Sequence, residues 1–407
     1  MVNRLRSIRH RSVYVSESNF LVSRCNVNEI RVFTTSFCNL IGFKSLGLDS
    51  MIEIRGDMLE GGGQILRIST AISALLRKPV RITSIRAKRS PPGLRPQHLN
   101  AVKALGLMSK AEIDGLYVGS KEVTFTPSSP PSGSFRIDVG TAGSIGLVLQ
   151  ALMPVAAFSS GDVSIEISGG TNNPRAPAVE YLQNVLIPIL ARMGYKGSVE
   201  ILRRGFYPRG GGLVKAHMNP VRTLKPIILE DFGGVSKIWG LSYSCRLPAH
   251  ITDRMAKSAH RILLREGYDA DIETECLQGD HSKCSPDPGC GIILFASLSS
   301  GGLVGADALG RLGIPAEKVG EDAASNLLQP LRRRSPVDKH LGDQLIVYAS
   351  LADGESIIRV DELTLHTVTC IELCRVLLNV DFKVEGEVGG PARITCKGVG
   401  LVNSSIR

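Results

Sequence analysis

The sequence predicts an α/β (α+β) fold in which a large domain of three repeated α/β units carries a small α/β domain inserted before the third unit. The first observation is a loose internal repeat of helix and strand patterns from Met51 onward. The second is the spacing of that repeat, because the first strands of the units begin at Val80, Val163 and Ser356, with gaps of 83 and 193 residues. About 100 extra residues, enough for a small domain, therefore separate the second unit from the third.

Each unit is predicted as a helix, a short strand, a polar loop, a second amphipathic helix and two strands around a glycine turn. The first unit comprises helix 64–76, strand 80–86, loop 87–96, helix 97–108 and strands near Leu116 and Val123. The second comprises helix 144–158, strand 163–167, loop 168–176, a helix with apolar residues from Leu182 to Met193, and strands near Val199 and Val214. The third comprises helix 338–352, strand 356–360, a loop containing His366, a helix from Cys370 and strands near Phe382 and Ile394.

Three regions follow from this pattern. We expect a large domain formed by residues 51–230 and 332–407, and a small inserted domain formed by residues 231–331. The insertion has its own predicted elements, which are strand 237–245, helix 252–266, strand 269–275, strand 291–297 and helix 319–331. Residues 1–50 form a separate N-terminal extension. Its arginines and serines, with no acidic residue before Glu17, are typical of an organelle transit peptide, and a disordered leader is an equal alternative.

Composition limits the class of protein. The 407 residues can bury a large core. The sequence contains no run of 18 apolar residues, so it predicts no membrane span. The net charge of +10 favours a polyanionic partner, although a merely basic enzyme fits as well. Nine cysteines without a C-x-x-C pair indicate reduced thiols of an intracellular protein. The cluster of Cys276, His281, Cys284 and Cys290 matches no zinc template.

His366 is the first candidate for chemistry. Thr369 and Glu372 fit a capping box, which predicts that a helix begins at Thr369 and that His366 lies just before it. The unpaired N–H groups at such a helix end attract phosphate to a place where the imidazole could attack it. The alternative is a histidine packed in the core.

Three other segments offer groups that bind anions. The loop of the first unit and the helix after it contain Arg86, Lys88, Arg89, Arg95, Gln97 and His98. The loop of the second unit contains residues 169–175 (GGTNNPR), whose paired glycines would let backbone N–H groups approach an anion. Residues 60–67 (EGGGQILR) add Glu60, which could hold a divalent ion, and Arg67. None of these is a Walker A loop. Placed at equivalent corners of the units, the loops could form one site.

Several stretches carry a resemblance to a known family. They are 60–67 (EGGGQILR), 85–98 (IRAKRSPPGLRPQH), 168–172 (SGGTN), 205–212 (GFYPRGGG), 338–345 (DKHLGDQL) and 364–367 (TLHT). In this order they resemble the RNA 3′-terminal phosphate cyclase family, and the likeness extends from residue 51 to about residue 401. The resemblance implies three repeated units with an inserted domain. It also implies a ligase-type nucleotidyl transferase that converts an RNA 3′-phosphate to a 2′,3′-cyclic phosphate with ATP and Mg²⁺ or Mn²⁺.

The resemblance also implies residue roles. His366 would be the nucleophile that takes AMP from ATP, Glu60 would coordinate the metal, and Arg67, Arg86, Arg89 and Gln97 would hold phosphates. The positions that would surround the nucleotide are Gln150, Pro177, His340, Asp343 and Gln344. His340 departs from the family, which commonly has a tyrosine there that packs on adenine. A smaller ring would lower the affinity for ATP.

Two other functions are compatible with parts of the pattern. One is a non-catalytic relative that acts as an RNA-binding scaffold in ribosome assembly, although such relatives lack the histidine and the Glu-Gly-Gly-Gly stretch that this chain has. The other is an enolpyruvyl transferase, which is built from similar units. The family resemblance implies a nuclear or cytoplasmic enzyme that acts on RNA without a membrane partner, and it leaves the oligomeric state open.

Overall fold

Four four-stranded sheets organise the chain in a computed structural model that describes residues 51–140 and 142–406. Helices alternate with the strands, and every sheet contains both parallel and antiparallel pairs. The predicted mixed α/β class is therefore confirmed. Within the described ranges, no helix is long and apolar enough to span a membrane. The predicted N-terminal extension lies outside the described residues.

The first unit forms a sheet with the order β1-β2-β4-β3. Its elements are β1 (Ile52–Arg55), α1 (Gly63–Leu76), β2 (Val80–Thr83), α2 (Pro96–Ser109), β3 (Glu112–Asp114) and β4 (Val123–Thr126). β1 and β2 are parallel, whereas β4 runs antiparallel to β2 and β3. α2 begins with a proline, whose fixed φ suits the first turn of a helix. The loop that follows β2 carries Arg86 and Arg89.

The second unit has the corresponding order β5-β6-β8-β7. Its elements are β5 (Gly133–Asp138), α3 (Ile145–Ala157), β6 (Val163–Gly169), α4 (Val179–Tyr181), the π-helical turn Leu182–Leu186, α5 (Ile187–Arg192), β7 (Gly197–Arg203) and β8 (Gly212–Met218). α3 is almost entirely buried, which agrees with its nearly continuous apolar sequence. The predicted apolar stripe from Leu182 to Met193 also faces the core.

The third sheet has the order β9-β14-β16-β15. Its elements are β9 (Ile228–Leu229), α8 (Lys339–Leu351), β14 (Glu355–Val360), α9 (Leu365–Leu378), β15 (Phe382–Gly386) and β16 (Ala392–Lys397). β9 pairs in parallel with β14 although more than 100 residues separate them in the chain. The three sheets thus share one strand order, and each site loop follows the second strand in that order.

Between β9 and α8 the chain forms a fourth sheet with the order β11-β10-β12-β13. Its elements are β10 (Val235–Cys245), α6 (His250–Arg265), β11 (Asp271–Leu277), β12 (Gly289–Leu298), β13 (Leu303–Leu309) and α7 (Ala316–Arg332). One face of this sheet joins the main hydrophobic core through Tyr243 and Phe295, and the other forms a second core under α6 and α7. The proposed domain boundaries on either side of residues 231–331 stay a prediction.

The structure adds strands that the sequence pattern did not predict. These are β1, β5, β9 and β13. β9 has only two residues, which are too few to show an alternation of apolar and polar side chains. β1 is mostly exposed or half-buried, so it lacks a clear buried face. The prediction of a strand near Leu116 is wrong, because the strand before β4 lies at Glu112–Asp114 and Leu116 falls in the turn after it. Each unit therefore begins with a strand rather than with a helix.

Candidate active site

One cleft collects the predicted site residues. It has a volume of about 1940 Å³, and the loops of all three units contribute to its lining. The predicted catalytic residues along its wall are His366, Glu60, Arg67, Arg86 and Arg89. The predicted nucleotide-binding residues along the same wall are Gln97, Gln150, Pro177, His340, Asp343 and Gln344. The structure therefore brings together all eleven residues, which the sequence spreads over more than 300 positions.

His366 lies in the first turn of α9. The expectation that this helix begins at Thr369 is wrong, because α9 begins at Leu365 and Thr364 caps it by accepting the N–H of Thr367 at 3.0 Å. The Thr369 hydroxyl instead donates to the backbone oxygen of Leu365 at 2.7 Å. His366 is exposed to the cleft. Its imidazole therefore stands at the positive end of a helix, as a group that attacks a phosphate requires.

Gln64 fixes the imidazole of His366. Nδ1 of His366 lies 2.8 Å from Oε1 of Gln64, the second residue of α1. An amide oxygen only accepts hydrogen bonds, so Nδ1 is the donor, and in the neutral form of the ring Nε2 then keeps its lone pair. Sequence reasoning missed this role of Gln64. Its only signal was its place in the 60–67 stretch, because its partner lies 302 positions away.

Glycines bring the start of α1 close to the charged groups. A Cβ at Gly62 would overlap the Glu60 carboxylate, and a Cβ at Gly63 would overlap the ring of His98. α1 has no side-chain cap, so no capping side chain uses the N–H groups of its first turn. The first turns of α1 and α9 thus both lie at the cleft, which is the geometry of an anion site.

The Glu60 carboxylate has one used and one unused oxygen. Oε1 accepts a hydrogen bond from Arg89 Nη2 at 2.9 Å, whereas Oε2 is buried and has no partner in the described part of the chain. No cluster of three or more histidine, cysteine or acidic side chains suited to a metal occurs among the described residues. A divalent ion here would therefore bind one carboxylate oxygen and take its other ligands from phosphate and water, as Mg²⁺ commonly does. The residues present fit that role.

Arg67 and Asp343 form the inner electrostatic pair of the cleft. Burial lowers the pKa of Arg67 to about 10, and the nearby Asp343 and Glu60 oppose that effect. Arg67 therefore stays charged at neutral pH. Burial also raises the pKa of Asp343 to about 8, with a further rise from Asp338 and a smaller opposing effect from Arg67. Asp343 is thus largely protonated near pH 7 and can donate a hydrogen bond.

The first loop is held in shape by one of its own arginines. Nη1 of Arg86 donates to the backbone oxygens of Pro91 at 3.0 Å and Gly93 at 3.1 Å. Burial lowers the pKa of Arg86, and the neighbouring Arg95 and Arg89 lower it further. His98 lies behind this loop, where burial and nearby arginines lower its pKa to about 3. His98 is therefore neutral and adds no charge to the anion-binding groups.

The glycine pair of the second loop does not offer free N–H groups. The N–H of Gly170 donates to Gly143 at 2.7 Å, and that of Thr171 donates to Gly205 at 3.0 Å. The expectation that Gly170 offers its N–H to an anion is therefore wrong. The glycines serve close packing instead, because a Cβ at Gly169 would lie 2.7 Å from the backbone oxygen of Gly143.

Asp338 joins three parts of the cleft wall. Its Oδ1 caps α8 by accepting the N–H groups of His340 at 2.9 Å and Leu341 at 3.0 Å. Its carboxylate also accepts the Tyr181 hydroxyl at 2.8 Å and the N–H of Gly305 in β13 at 3.0 Å. His340 is thereby fixed in the first turn of α8. Desolvation in the cleft lowers the pKa of His340, and the nearby Asp338 opposes that effect.

Unused polar atoms mark the nucleotide side of the cleft. Oε1 of Gln344 and the hydroxyl of Tyr348 are buried and have no hydrogen-bond partner among the residues that the structure describes. Buried polar groups without partners are costly and are normally satisfied by a ligand or water. The two atoms therefore provide an acceptor and a donor for a polar ring bound beside α8.

The mixed α/β fold and a cleft with a histidine, arginines and a carboxylate at helix starts define an enzyme. The chain belongs to the RNA 3′-terminal phosphate cyclase family, because the family model of that description matches residues 58–384. A relative from Desulfurococcus amylolyticus, named RNA 3′-terminal phosphate cyclase, is 44% identical over 86% of this chain and 99% of its own length. Relatives of the same name from Methanopyrus kandleri and Pyrococcus furiosus are each 44% identical over 85% of this chain, and over 98% and 99% of their own lengths. The family resemblance is confirmed.

Proposed function

We propose that this protein converts the 3′-terminal phosphate of RNA to a 2′,3′-cyclic phosphate, with ATP as the second substrate and AMP bound covalently to His366 as an intermediate. The placement of His366 carries the proposal. Its ring lies at the start of α9, Gln64 holds Nδ1, and the free Nε2 belongs to a cleft whose lining includes Arg67, Arg86 and Arg89. A neutral imidazole of this kind is a good nucleophile at neutral pH.

In the first step, His366 Nε2 attacks the α-phosphorus of ATP. An N–P bond forms, the bond to pyrophosphate breaks, and Gln64 Oε1 stabilises the positive charge that develops on the ring through Nδ1–H. Arg67, Arg86 and Arg89 would hold the phosphate oxygens through charge-assisted hydrogen bonds. Gln97 would add a neutral contact. This step requires His366 to be neutral and its proton to stay on Nδ1.

The nucleotide would be held by other residues of the same cleft. We propose that it is surrounded by five residues of the cleft lining, which are Gln150, Pro177, His340, Asp343 and Gln344. Asp343 in its protonated form would donate to an oxygen or ring nitrogen, and the unpartnered Gln344 Oε1 would accept from an amino group or hydroxyl. His340 would stack on the base over a smaller area than a tyrosine offers.

Glu60 would hold a divalent ion such as Mg²⁺ or Mn²⁺ through the unused Oε2. When bound, the ion supplies positive charge that offsets the charge of the phosphates. Glu60 also orients Arg89, which it contacts at 2.9 Å.

In the second step AMP passes from the protein to the RNA, and in the third step AMP leaves the RNA. An oxygen of the RNA 3′-phosphate attacks the phosphorus on His366, so that the N–P bond breaks and an adenylated 3′-end forms. The neighbouring 2′-oxygen then attacks the 3′-phosphorus, its proton passes to solvent, and AMP leaves as the ring closes. Proximity of the 2′-hydroxyl lowers the barrier to this closure, and the departure of AMP from the activated phosphate drives it.

Incubation with α-labelled ATP tests the proposed function directly. We expect the protein to acquire label in a linkage that is labile in acid and stable in base, as an N–P bond is. An RNA-binding scaffold or an enolpyruvyl transferase would acquire none. Absence of covalent label under conditions in which an RNA 3′-phosphate is cyclised would contradict the histidine intermediate.

The arginines of the first loop give a graded prediction. Replacing Arg86 or Arg89 with alanine removes a charge-assisted contact worth roughly 1.5 to 3 kcal/mol, so we expect a loss of about 10- to 150-fold in kcat/KM for cyclisation. Lysine should restore only part of it, because lysine cannot make the bidentate contact. Lys88→Ala is the matched control, since Lys88 lies in the same loop but outside the cleft lining and near Asp57. Equal rates in all three alanine variants would show that these arginines do not bind substrate.

The cell compartment also belongs to the proposal. A nuclear or cytoplasmic location remains our interpretation, with organelle targeting by residues 1–50 as the alternative. Imaging of the full chain and of a chain without residues 1–50, each fused to a fluorescent protein, separates the two. The three relatives compared above are archaeal and have no nucleus, so they do not bear on this question.

A further inference from the structure

We propose that the wall formed by β13 and the loop after it binds the single-stranded RNA that precedes the 3′-terminal phosphate. This inference rests on the proposed function, and it assigns a role to residues that the chemistry of the chain end does not use. It commits to one occupant, which is the strand already attached to the reacting phosphate.

The cleft follows β13 away from the reaction centre. Every residue from Gly305 to Ala316 lines it without a break. Gly305 bonds to Asp338 beside His340, so this wall begins next to the proposed nucleotide site. Six residues of extended chain separate Gly305 from Arg311, which is roughly 20 Å. At 3.4 Å per nucleotide of stacked strand, this is room for about six nucleotides.

Apolar side chains are exposed along this wall without packing partners. The Leu312 side chain is 105% exposed and that of Ile314 is 40% exposed. Tyr207, from the 205–212 stretch, lines the same cleft and is 80% exposed. Proteins that bind single strands stack bases on aromatic side chains, and such stacking tolerates any base. Tyr207 supplies a surface of this kind, and Leu312 adds exposed apolar area that a base can cover.

The charges at the far end of the wall favour a polyanion. The guanidinium of Arg311 has no carboxylate partner within the described residues. Glu317 is paired with Arg254 at 2.6 Å, and Asp322 is paired with Lys318 at 2.8 Å, so both nearby carboxylates are neutralised. Asp307 lies four positions before Arg311, at the Gly305 end of the wall; burial and Glu180 raise its pKa to about 6, so it is still ionised at neutral pH. The guanidinium of Arg311, which is unpaired within the described residues, therefore lies in the loop beside Leu312.

Equilibrium binding of two labelled RNAs tests this inference. Both would end in a 3′-phosphate, and they would be three and twelve nucleotides long. We expect Tyr207→Ala and Leu312→Ala each to weaken binding of the longer RNA by about 5- to 100-fold and to leave the shorter one unchanged. Arg311→Ala should weaken the longer RNA and reduce the slope of log Kd against log salt by about 0.7. All three side chains are exposed, so the variants should fold.

Two controls come from the far end of α6. Leu264 is 55% exposed and Arg265 is exposed, and neither lines the cleft. Leu264→Ala and Arg265→Ala repeat the leucine and arginine substitutions of the test variants, on a helix that packs against the same sheet. Neither control should affect binding of either RNA. Unchanged binding in the three test variants, or equal losses for both RNA lengths, would overturn the inference. Because this assay needs no turnover, its result is independent of whether α-labelled ATP marks His366.

Discussion

Replacement of His366 with alanine is expected to abolish covalent labelling by α-labelled ATP and to lower the rate of cyclisation by more than about 10³-fold. The reason is that the variant lacks the nitrogen that accepts AMP, and no other step can replace that transfer. The fold should persist, because His366 is exposed and lies in the first turn of a helix capped by Thr364. Gel detection of labelled protein, with circular dichroism as a check of folding, measures both outcomes.

His340→Ala is the informative companion variant. His340 lines the same cleft but makes no hydrogen bond to His366 within the described residues. Its loss should therefore reduce the affinity for ATP but leave the label in place at high ATP. A His366→Ala protein that still carries AMP would sink the assignment of the nucleophile. Loss of label only in the His340 variant would move the assignment to that residue.

A terminal 2′-deoxynucleotide is expected to stop the reaction after adenylation. The activated 3′-phosphate would form, but without a 2′-hydroxyl no ring can close, so the adenylated strand should accumulate in place of the cyclic product. RNA ending in 3′-phosphate should cyclise, and RNA ending in 3′-hydroxyl should not react. If the arginines hold phosphates as proposed, they do not read base edges, and terminal base identity should change the rate only modestly.

A gel of the 2′-deoxy, 3′-phosphate oligonucleotide after incubation with ATP and magnesium detects the adenylated strand. The matched substrate has the same sequence with a ribonucleotide at the end. Protein that labels itself but leaves every 3′-phosphate strand without AMP would show that the acceptor is a different molecule. The three-step route would be contradicted if the ribonucleotide substrate cyclised while the 2′-deoxy oligonucleotide gave no adenylated strand.

The sequence predicted the parts of the site that are local in the chain. His366, Glu60 and the arginines stand in short stretches that resemble those of the family, so they could be singled out as candidates without the fold. The hydrogen bond between Gln64 and His366 could not, because it joins residues from the first and third units. The glycines at 169 and 170 misled the prediction. Their sequence suits an anion loop, whereas the N–H of Gly170 is consumed by a tertiary contact that only the fold reveals.

The fold was predicted to a similar extent. Long helices with an apolar stripe were recognised, because their pattern repeats over several turns. β9 could not be recognised, since its two residues become a strand only through pairing with β14 from the far side of the extra segment. The start of α9 was placed too late for a related reason. Thr364 and Thr369 are both acceptable capping residues, and only the backbone shows which one accepts an N–H from the first turn.

The carboxylate of Asp338 has a consequence for how the enzyme can change over evolutionary time. Tyr181, Gly305 and His340 belong to three distant parts of the sequence, yet they share one acceptor. A substitution that moves any of them alters the hydrogen-bond geometry available to the other two, so their effects on free energy cannot be independent. The part of the cleft around His340 and the part that follows β13 are therefore constrained to vary together.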